Sequence, residues 1–107
     1  MPEPASDIPR NTRLVVQTAD VRVVEYTMAP GEAHPWHHHS AVSDRVYCLE
    51  GVIDVDIRTP PEKHSLRPGQ SYEVPPGTVH HVGNGSDATG RYLLIQATGK
   101  YDYIRAD

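Results

Sequence analysis

The chain has 107 residues, a hydrophobic fraction of 37% and a formal net charge of −4, values typical of one soluble globular domain and too small for two. The mild acidity and the lack of a basic stripe argue against a nucleic-acid partner. No apolar run approaches the roughly 18 residues of a membrane-spanning helix, and the opening MPEPASDIPR carries acids and prolines where a signal peptide needs an apolar stretch. The single cysteine cannot form an internal disulfide, so we expect a reducing, cytoplasmic setting.

The first part of the chain is predicted to form strands separated by turns. Residues 1–11 include three prolines and are expected to form a flexible N-terminal tail, whereas residues 12–107 are expected to form a single domain. From Asn11 to Thr27 the chain is rich in β-branched and apolar side chains, and a predicted turn at Ala19–Asp20 divides this stretch into two strands. Pro30–Gly31 is a turn signal that ends the second strand.

Short strands continue through the rest of the chain. One is predicted at residues 45–49. In the next, Ile53, Val55 and Ile57 alternate with charged residues, which is the period-two pattern of a half-buried antiparallel strand. Further strands are predicted around residues 64–67 and in the segments QSYEV, VHHV and RYLLIQA. About eight short strands, frequent proline and glycine turns and no helical periodicity together predict an all-β fold, a sandwich or a barrel.

A first group of residues with metal-binding chemistry lies between two glycines, in residues 31–51. It contains His37, His39 and Asp44. Residues two apart on a strand share a face, so both rings can turn toward one ion while His38 points the other way. Asp44 follows through a turn and begins the next strand. On its own, a run of three histidines could equally be a solvent-exposed patch.

A second group, in residues 69–84, makes the metal hypothesis much stronger. It contains Pro75, Gly77, His80 and Asn84 at fixed spacings after Gly69. Glycine makes up about 7% and proline about 5% of average proteins, so such spacing is not expected by chance. Together the two groups resemble, position by position, the two signature motifs of the cupin family of small β-barrels, and nine of ten defining positions match. The tenth position holds an aspartate, Asp44, where the family usually has glutamate.

The resemblance covers roughly residues 12–100 and is closest to the small single-domain cupins of bacteria. It implies a double-stranded β-helix, which is a jelly-roll antiparallel barrel, with a metal in the mouth of the barrel. It also implies a homodimer in which the N-terminal strand, around residues 13–17, pairs with the sheet of a second copy. An open edge strand is otherwise a liability, which favours such pairing.

The proposed ligand set is His37, His39, Asp44 and His80. Three imidazoles and one carboxylate suit one borderline divalent ion per chain, such as iron, manganese, nickel, copper or zinc. Four protein ligands leave two positions open on an octahedral ion for substrate, water or dioxygen. Because His80 lies 36 positions after Asp44, only a tertiary fold can unite the set.

Asp44 is the position where this sequence departs from the family pattern. Its side chain is one methylene shorter than that of glutamate, so from the same backbone its oxygens fall short by about 1 Å, whereas metal–ligand distances tolerate about 0.2 Å. Three arrangements remain open at this point. In the first the backbone lies closer to the metal and Asp44 binds directly, in the second a water bridges, and in the third Asp44 hydrogen-bonds to a ligating histidine of a three-histidine site.

Several further residues receive structural predictions. Trp36 is expected to pack over the barrel mouth, and Cys48 to point inward as a small buried residue without nucleophilic chemistry. Asn84 is expected to hydrogen-bond its own turn. Tyr72 and Gln96 are candidate pocket residues whose orientation toward the metal is left open. The remaining histidines are expected to be exposed or at the rim: His34, His38, His64 and His81.

Two functions from different classes follow from this reading. The first is a metalloenzyme that acts on a small oxygen-rich organic molecule, as a dioxygenase with a redox-active metal or as an isomerase or lyase with a redox-silent one. The second is a non-catalytic small-molecule binding or sensor domain. A structural dimer that binds metal incidentally is a third reading. The fold alone does not decide among them.

Overall fold

The computed structural model describes residues 11–106 and contains, within that range, ten strands in two five-stranded antiparallel sheets. The all-β prediction is therefore confirmed. The predicted N-terminal tail lies outside the described residues, apart from Asn11. The strands are β1 (Thr12–Gln17), β2 (Val21–Met28), β3 (His37–His38), β4 (Ser43–Glu50), β5 (Ile53–Ile57), β6 (Glu62–Leu66), β7 (Ser71–Val74), β8 (His80–Gly83), β9 (Gly90–Ala97) and β10 (Ile104–Arg105).

The two sheets are built from strands that alternate between them along the chain. One sheet has the order β1-β2-β9-β4-β7 and the other the order β10-β3-β8-β5-β6. Only the β1–β2 and β5–β6 connections stay within one sheet, and each of the other seven connections crosses from one sheet to the other. Non-sequential neighbours of this kind are the topology of a jelly roll, in which the inner faces of two sheets enclose the core.

Alternating burial along the strands produces that core. In β2, β9 and the first six residues of β4 every second side chain is buried and its neighbours are partly exposed, because successive side chains of a strand point to opposite faces. The apolar part of the interior is a cluster formed by both sheets. Its buried members are Val24, Tyr26, Met28, Val46, Cys48, Ile53, Val55, Ile57, Leu66, Val74, Val82, Tyr92 and Leu94.

Tight turns at the motif glycines join these strands. The four motif glycines, Gly31, Gly51, Gly69 and Gly77, have positive φ, from 74° at Gly51 to 89° at Gly69. At Gly51 a Cβ atom would also lie 2.7 Å from the carbonyl oxygen of Thr89. A side chain there is therefore excluded both by backbone conformation and by space.

Two short strands at the end of the barrel were not predicted from the sequence. Strand β3 contains only two residues, and β10 pairs with it in the C-terminal segment. Both are too short for a periodic pattern to reveal. Among residues 11–106 there is no helix long and apolar enough to cross a membrane.

Candidate metal centre

The four predicted ligands come from three strand regions of both sheets. His37 opens β3 and is the cross-strand partner of His80, the first residue of β8. His39 follows directly after β3, on the same side as His37, whereas His38 is only partly buried. Asp44 lies on β4 in the opposite sheet. Both sheets therefore contribute side chains to one point in the barrel interior.

The side chains of these four residues meet in the barrel interior. One potential ligand atom from each of the four lies within 4.8 Å of the others. The Oδ2 atom of Asp44 is 3.1 Å from Nε2 of His39 and 2.8 Å from Nε2 of His80. All four residues are at most 5% exposed. The shorter aspartate therefore does reach the histidine cluster, and its carboxylate lies within it.

Each histidine ring is oriented by a backbone carbonyl. A carbonyl oxygen can only accept a hydrogen bond, so the Nδ1 atom facing it must carry the proton, and the Nε2 atom is left with its lone pair in the neutral ring. Such outer hydrogen bonds are how metal-binding histidines are usually held. The three acceptors are Pro35 for His37 (2.8 Å), Asp102 for His39 (2.6 Å) and Thr78 for His80 (2.8 Å).

The donor set fits a divalent transition metal. Around an ion bound at about 2.1 Å, ligand atoms in an octahedral arrangement are about 3.0 Å apart when adjacent and about 4.2 Å apart when opposite. The observed spacing within 4.8 Å needs only small side-chain adjustments to meet these values. Three imidazole nitrogens and one carboxylate oxygen are donors that iron, manganese, nickel, copper and zinc accept.

Electrostatics at the cluster favour a bound cation. Burial alone would raise the pKa of the Asp44 carboxyl, but the hydrogen bonds that His39 and His80 donate when Nε2 also carries a proton outweigh it and hold that pKa well below its usual range. Burial opposes charge on His39 as well, yet the bond to Asp44 raises its pKa. Burial lowers the pKa of His37 to about 4. A bound divalent ion would replace the protons between Asp44 and the rings and would compensate the negative charge of the carboxylate.

A buried polar row supports Asp44 from behind. Gln96 on β9 is the cross-strand partner both of Arg22 on β2 and of Asp44 on β4. Its Nε2 donates to Oδ1 of Asp44 at 2.9 Å, and its Oε1 accepts from Nη1 of Arg22 at 2.7 Å. The Gln96 bond occupies Oδ1, so Oδ2 is the oxygen that faces the imidazoles. Gln96, a candidate pocket residue, therefore does lie beside the cluster. Arg22 was not predicted to be near the site.

A cavity of about 420 Å³ opens beside the cluster. Tyr26 and Tyr92 stack in its wall with ring centroids 4.9 Å apart. His34 packs edge-on against Tyr26, and its Nδ1 lies 3.2 Å from the Tyr92 hydroxyl. The further lining residues are Pro35, His37, His39, Asp44, Val82, Leu94, Gln96, Tyr101, Tyr103 and Arg105. His34, predicted to be exposed or at the rim, therefore belongs to the cavity wall.

The C-terminal segment covers one side of the cluster. The ring of Tyr103 stacks on His37 with centroids 4.4 Å apart, and the carbonyl of Asp102 accepts the Nδ1 proton of His39. The Asp102 carboxylate in turn accepts hydrogen bonds from the backbone amide and hydroxyl of Ser40. These residues were missed from the sequence. The available signal was the pair of tyrosines two positions apart in YDY, which on an extended segment share one face.

The other histidines and aromatics lie away from the cluster. Trp36 stacks on His81 at 4.0 Å between centroids and does not line the cavity, which supports the packing interpretation. Tyr72 stacks on His64 at 3.9 Å, so the structure does not bring it to the predicted site. Cys48 is buried in the core, as expected. Asn84 donates to the carbonyl of Ala88 and holds its own turn, again as expected.

Comparisons with known proteins agree with this architecture. A model of the cupin domain family matches residues 24–96, and the chain therefore belongs to the cupin family. Germin-like protein subfamily 2 member 1 of Arabidopsis thaliana is 33% identical over 75 residues, which are 67% of this chain and 34% of that protein. The chain thus spans about a third of the length of this relative.

Solved structures show the same fold at low sequence identity. An uncharacterized conserved protein with a double-stranded β-helix domain from Klebsiella pneumoniae superimposes with a TM-score of 0.79 at 22% identity, over 98% of this chain and 90% of that chain. The polyketide cyclase RemF from Streptomyces resistomycificus superimposes with a TM-score of 0.76 at 19% identity, over 92% and 72%. The predicted double-stranded β-helix is therefore confirmed.

Proposed function

We propose that this cupin is a metalloenzyme that binds one divalent ion through His37, His39, Asp44 and His80 and acts on a small oxygen-rich organic molecule. The observation that carries the proposal is the joint geometry of cluster and cavity. Three rings are oriented through Nδ1 by backbone carbonyls, and two of them, His39 and His80, have Nε2 facing a carboxylate oxygen of Asp44. The cluster borders a cavity large enough for a small molecule. When bound, the ion supplies Lewis acidity toward a carbonyl, enol or carboxylate oxygen.

The walls of the cavity suit a planar, oxygen-bearing molecule. Tyr26, Tyr92 and Tyr103 all contribute aromatic rings to the lining. Aromatic faces pack well against conjugated systems. Arg105 lies at the exposed part of the lining, where a guanidinium favours anionic oxygens. A conjugated carbonyl or enol compound fits both features.

A proton-transfer pair is available in the same cavity. Burial lowers the pKa of His34, which keeps its ring neutral near pH 7. The Tyr92 hydroxyl lies 3.2 Å from Nδ1 of His34. When that nitrogen donates to the phenolic oxygen, Nε2 of His34 is available to accept a substrate proton and Tyr92 can donate to a substrate oxygen. Isomerisation and elimination both require such a base.

The chemistry depends on the ion that is bound. With a redox-active ion the expected reaction is a dioxygenase reaction, and with a redox-silent ion it is isomerisation or elimination through His34. The fold is shared by the polyketide cyclase RemF, but one fold serves many activities, so this likeness does not select the reaction.

The experiment is a metal and activity screen of the full chain with one matched control. The protein is purified after growth in media supplemented with iron, manganese, nickel or zinc, and its metal content is measured by elemental analysis. Oxygen uptake and ultraviolet spectra then report turnover of enediols and conjugated diketones. His37→Ala should lose metal and turnover, whereas His64→Ala, which changes a partly exposed histidine outside the cluster, should keep both. Wild-type protein without stoichiometric metal would contradict the proposal.

A non-catalytic binding or sensor domain is the second candidate. The observation in its favour is the C-terminal segment, which packs Tyr103 on His37 and binds His39 through the Asp102 carbonyl. A cluster enclosed in this way can hold a ligand without releasing a product. Ligands that raise the melting temperature of the metal-loaded protein, with no turnover of any of them, would support this function over the first.

We also propose that the functional unit is a homodimer formed through β1. This strand lies at the edge of its sheet, and Leu14, Val15 and Val16 are 42–47% exposed. Three consecutive exposed apolar residues on an open edge favour pairing with a second copy. Light scattering should give twice the chain mass, and Val16→Lys should lower it toward that of one chain.

The single cysteine, Cys48, is buried and free, which supports a cytoplasmic location.

A further inference from the structure

Arg22 is a buried cation for which the described residues provide no anionic partner. It is 3% exposed and belongs to the inner face of β2, where the following inward residues are Val24, Tyr26 and Met28. Its Nη1 atom donates to Gln96, and its guanidinium carbon lies 4.4 Å from the centre of the Tyr101 ring. Within residues 11–106 it forms no ion pair, and its Nη2 atom is buried without a hydrogen-bond partner. Burying a charge in this state is costly unless something pairs with it.

The guanidinium borders a second cavity, separate from the one beside the metal cluster. This cavity has a volume of about 240 Å³ and also contacts Lys100, Thr18 and Gln96. Because a water molecule occupies about 30 Å³ in the liquid, the space is large enough for a small organic acid or a phosphate. No acidic side chain is among its lining residues. The nearest turn carboxylate, Asp20, is engaged by the hydroxyl of Thr18.

We propose that this second cavity, the Arg22 pocket, binds a small oxyanion, a carboxylate or a phosphate, between Arg22 and Lys100. Arginine presents two parallel N–H donors to such a group. One nitrogen of Arg22 is already committed to Gln96, and the unpartnered Nη2 supplies the buried donor. Lys100 is exposed and supplies a second charge at the entrance.

The Arg22 pocket shares two lining residues, Gln96 and Tyr101, with the cavity beside the candidate metal centre, and Gln96 connects the two by hydrogen bonds. Gln96 lines both cavities, accepts from Arg22 and donates to Asp44. An oxyanion that fixes the guanidinium also fixes the Gln96 amide, whose nitrogen then stays directed at Oδ1 of Asp44. Oδ2 of Asp44 remains free to bind the cation. The negative charge of the oxyanion also favours a cation at the metal centre. Anion and metal should therefore strengthen each other's binding by the same factor. This coupling rests on the proposed metal site, whereas anion binding does not.

Anion binding is tested by calorimetry on the full-length, metal-free protein at constant ionic strength. Phosphate and acetate should each bind saturably at one site per chain, and chloride should not. Arg22→Gln should abolish binding, and Lys100→Gln, a change at an exposed residue that leaves the fold intact, should weaken it by about tenfold. Lys63→Gln removes an exposed lysine on β6 and should bind as the wild type does. Circular dichroism checks the fold of each variant.

A further variant separates the Arg22 pocket from the histidine cluster. His37→Ala should retain anion binding. If His37→Ala loses anion binding while Lys100→Gln keeps wild-type affinity, the anion binds at the histidine cluster and the proposal is wrong. It is also wrong if neither phosphate nor acetate binds more tightly than chloride.

The coupling is measured with acetate, because phosphate itself binds free metal ions. Saturating acetate should tighten binding of manganese or zinc by about fivefold or more, and in Lys100→Gln the same gain should require about tenfold more acetate. Metal binding without any effect of acetate would remove the coupling. Anion binding in a protein that takes up no metal would instead remove the proposed metalloenzyme and leave the Arg22 pocket in place.

Discussion

Two adjacent rows of side chains on the same sheet show how this barrel divides its interior. The polar row consists of Arg22, Gln96 and Asp44, which are cross-strand partners on β2, β9 and β4. The apolar row lies two residues away on each strand and consists of Val24, Leu94 and Val46. All six are at most 5% exposed.

The two rows are equally buried, yet they contribute differently. Burial of apolar side chains is favourable in itself, at roughly 1.5–3 kcal/mol for each Val or Leu. Burial of charged and amide groups is unfavourable unless every group has a partner. The apolar row should therefore determine stability, and the polar row should determine what the neighbouring histidines bind. The following experiments separate these contributions.

The largest expected effect is loss of the metal when a ligand of the cluster is removed. His37→Ala should weaken binding of a divalent ion by more than about a hundredfold. The increase in melting temperature with metal concentration should disappear, because it arises from binding to the native state alone. Differential scanning calorimetry with and without zinc measures this, with His64→Ala as control. Equal stabilisation of both variants would show that the ion binds elsewhere.

Removing apolar volume should lower stability strongly and leave metal binding unchanged. Leu94→Ala should lower the free energy of unfolding by about 2–5 kcal/mol, because it leaves a cavity in the apolar row. The variant should still bind one metal ion per folded chain. Urea unfolding and elemental analysis report the two quantities. Loss of metal from a Leu94→Ala protein that remains folded would show that the two rows are not separable.

Acid should destabilise the metal-free protein through His37. The folded-state pKa of His37 is lowered from 6.5 to about 4, so the unfolded chain binds more protons between these values. Stability should therefore fall as pH drops from 6.5 to 4, by up to about 3 kcal/mol from this group. His39 acts in the opposite direction because its pKa is raised: its contribution is present below pH 6.5 and is lost as pH rises through its folded value.

The contribution of His37 can be isolated by a variant that does not titrate. His37→Gln should lose less stability than the wild type between pH 6.5 and 4.5, measured by urea unfolding in the presence of a chelator. Identical pH profiles for the two proteins would mean that His37 is not the group responsible.

A smaller effect is expected when the charge of the polar row is removed and its shape is kept. Asp44→Asn should lower metal affinity by about 10–100-fold, while the free energy of unfolding of the metal-free protein changes much less than in Leu94→Ala. Calorimetric titration with manganese or zinc measures the affinity. Unchanged affinity would place Asp44 outside the set of ligands and leave a three-histidine site.

The smallest effect is expected on the outer face of the same strand. Arg45 neighbours Asp44 but points outward and pairs with Glu73, with both side chains at least 39% exposed. Solvent screening limits such a pair to less than about 1 kcal/mol. Arg45→Ala should therefore change neither the urea midpoint appreciably nor the metal affinity. A large loss of metal would show that this pair orients β4.

The sequence by itself determined the class of fold and the four residues of the candidate cluster. Two-residue periodicity in residues 53–57 identifies Ile53, Val55 and Ile57 as inward-facing, because strand geometry alternates the faces, and all three are buried, although Asp54 between them is buried as well. The four motif glycines mark turns that require positive φ. The spacing of His37 and His39 placed both rings on one side, and the structure reproduces that arrangement.

Only the tertiary structure decided what surrounds the cluster. Gln96 lies 52 positions from Asp44 and 74 from Arg22, and Asp102 lies 63 positions from His39. Such contacts depend on the register of strands in a closed barrel, and a shift of one residue would turn each side chain to the opposite face. The same holds for His34 and His64. Local sequence marks both as histidines near strands, but the packing of the two sheets alone places His34 in the cavity beside Tyr92 and leaves His64 outside it.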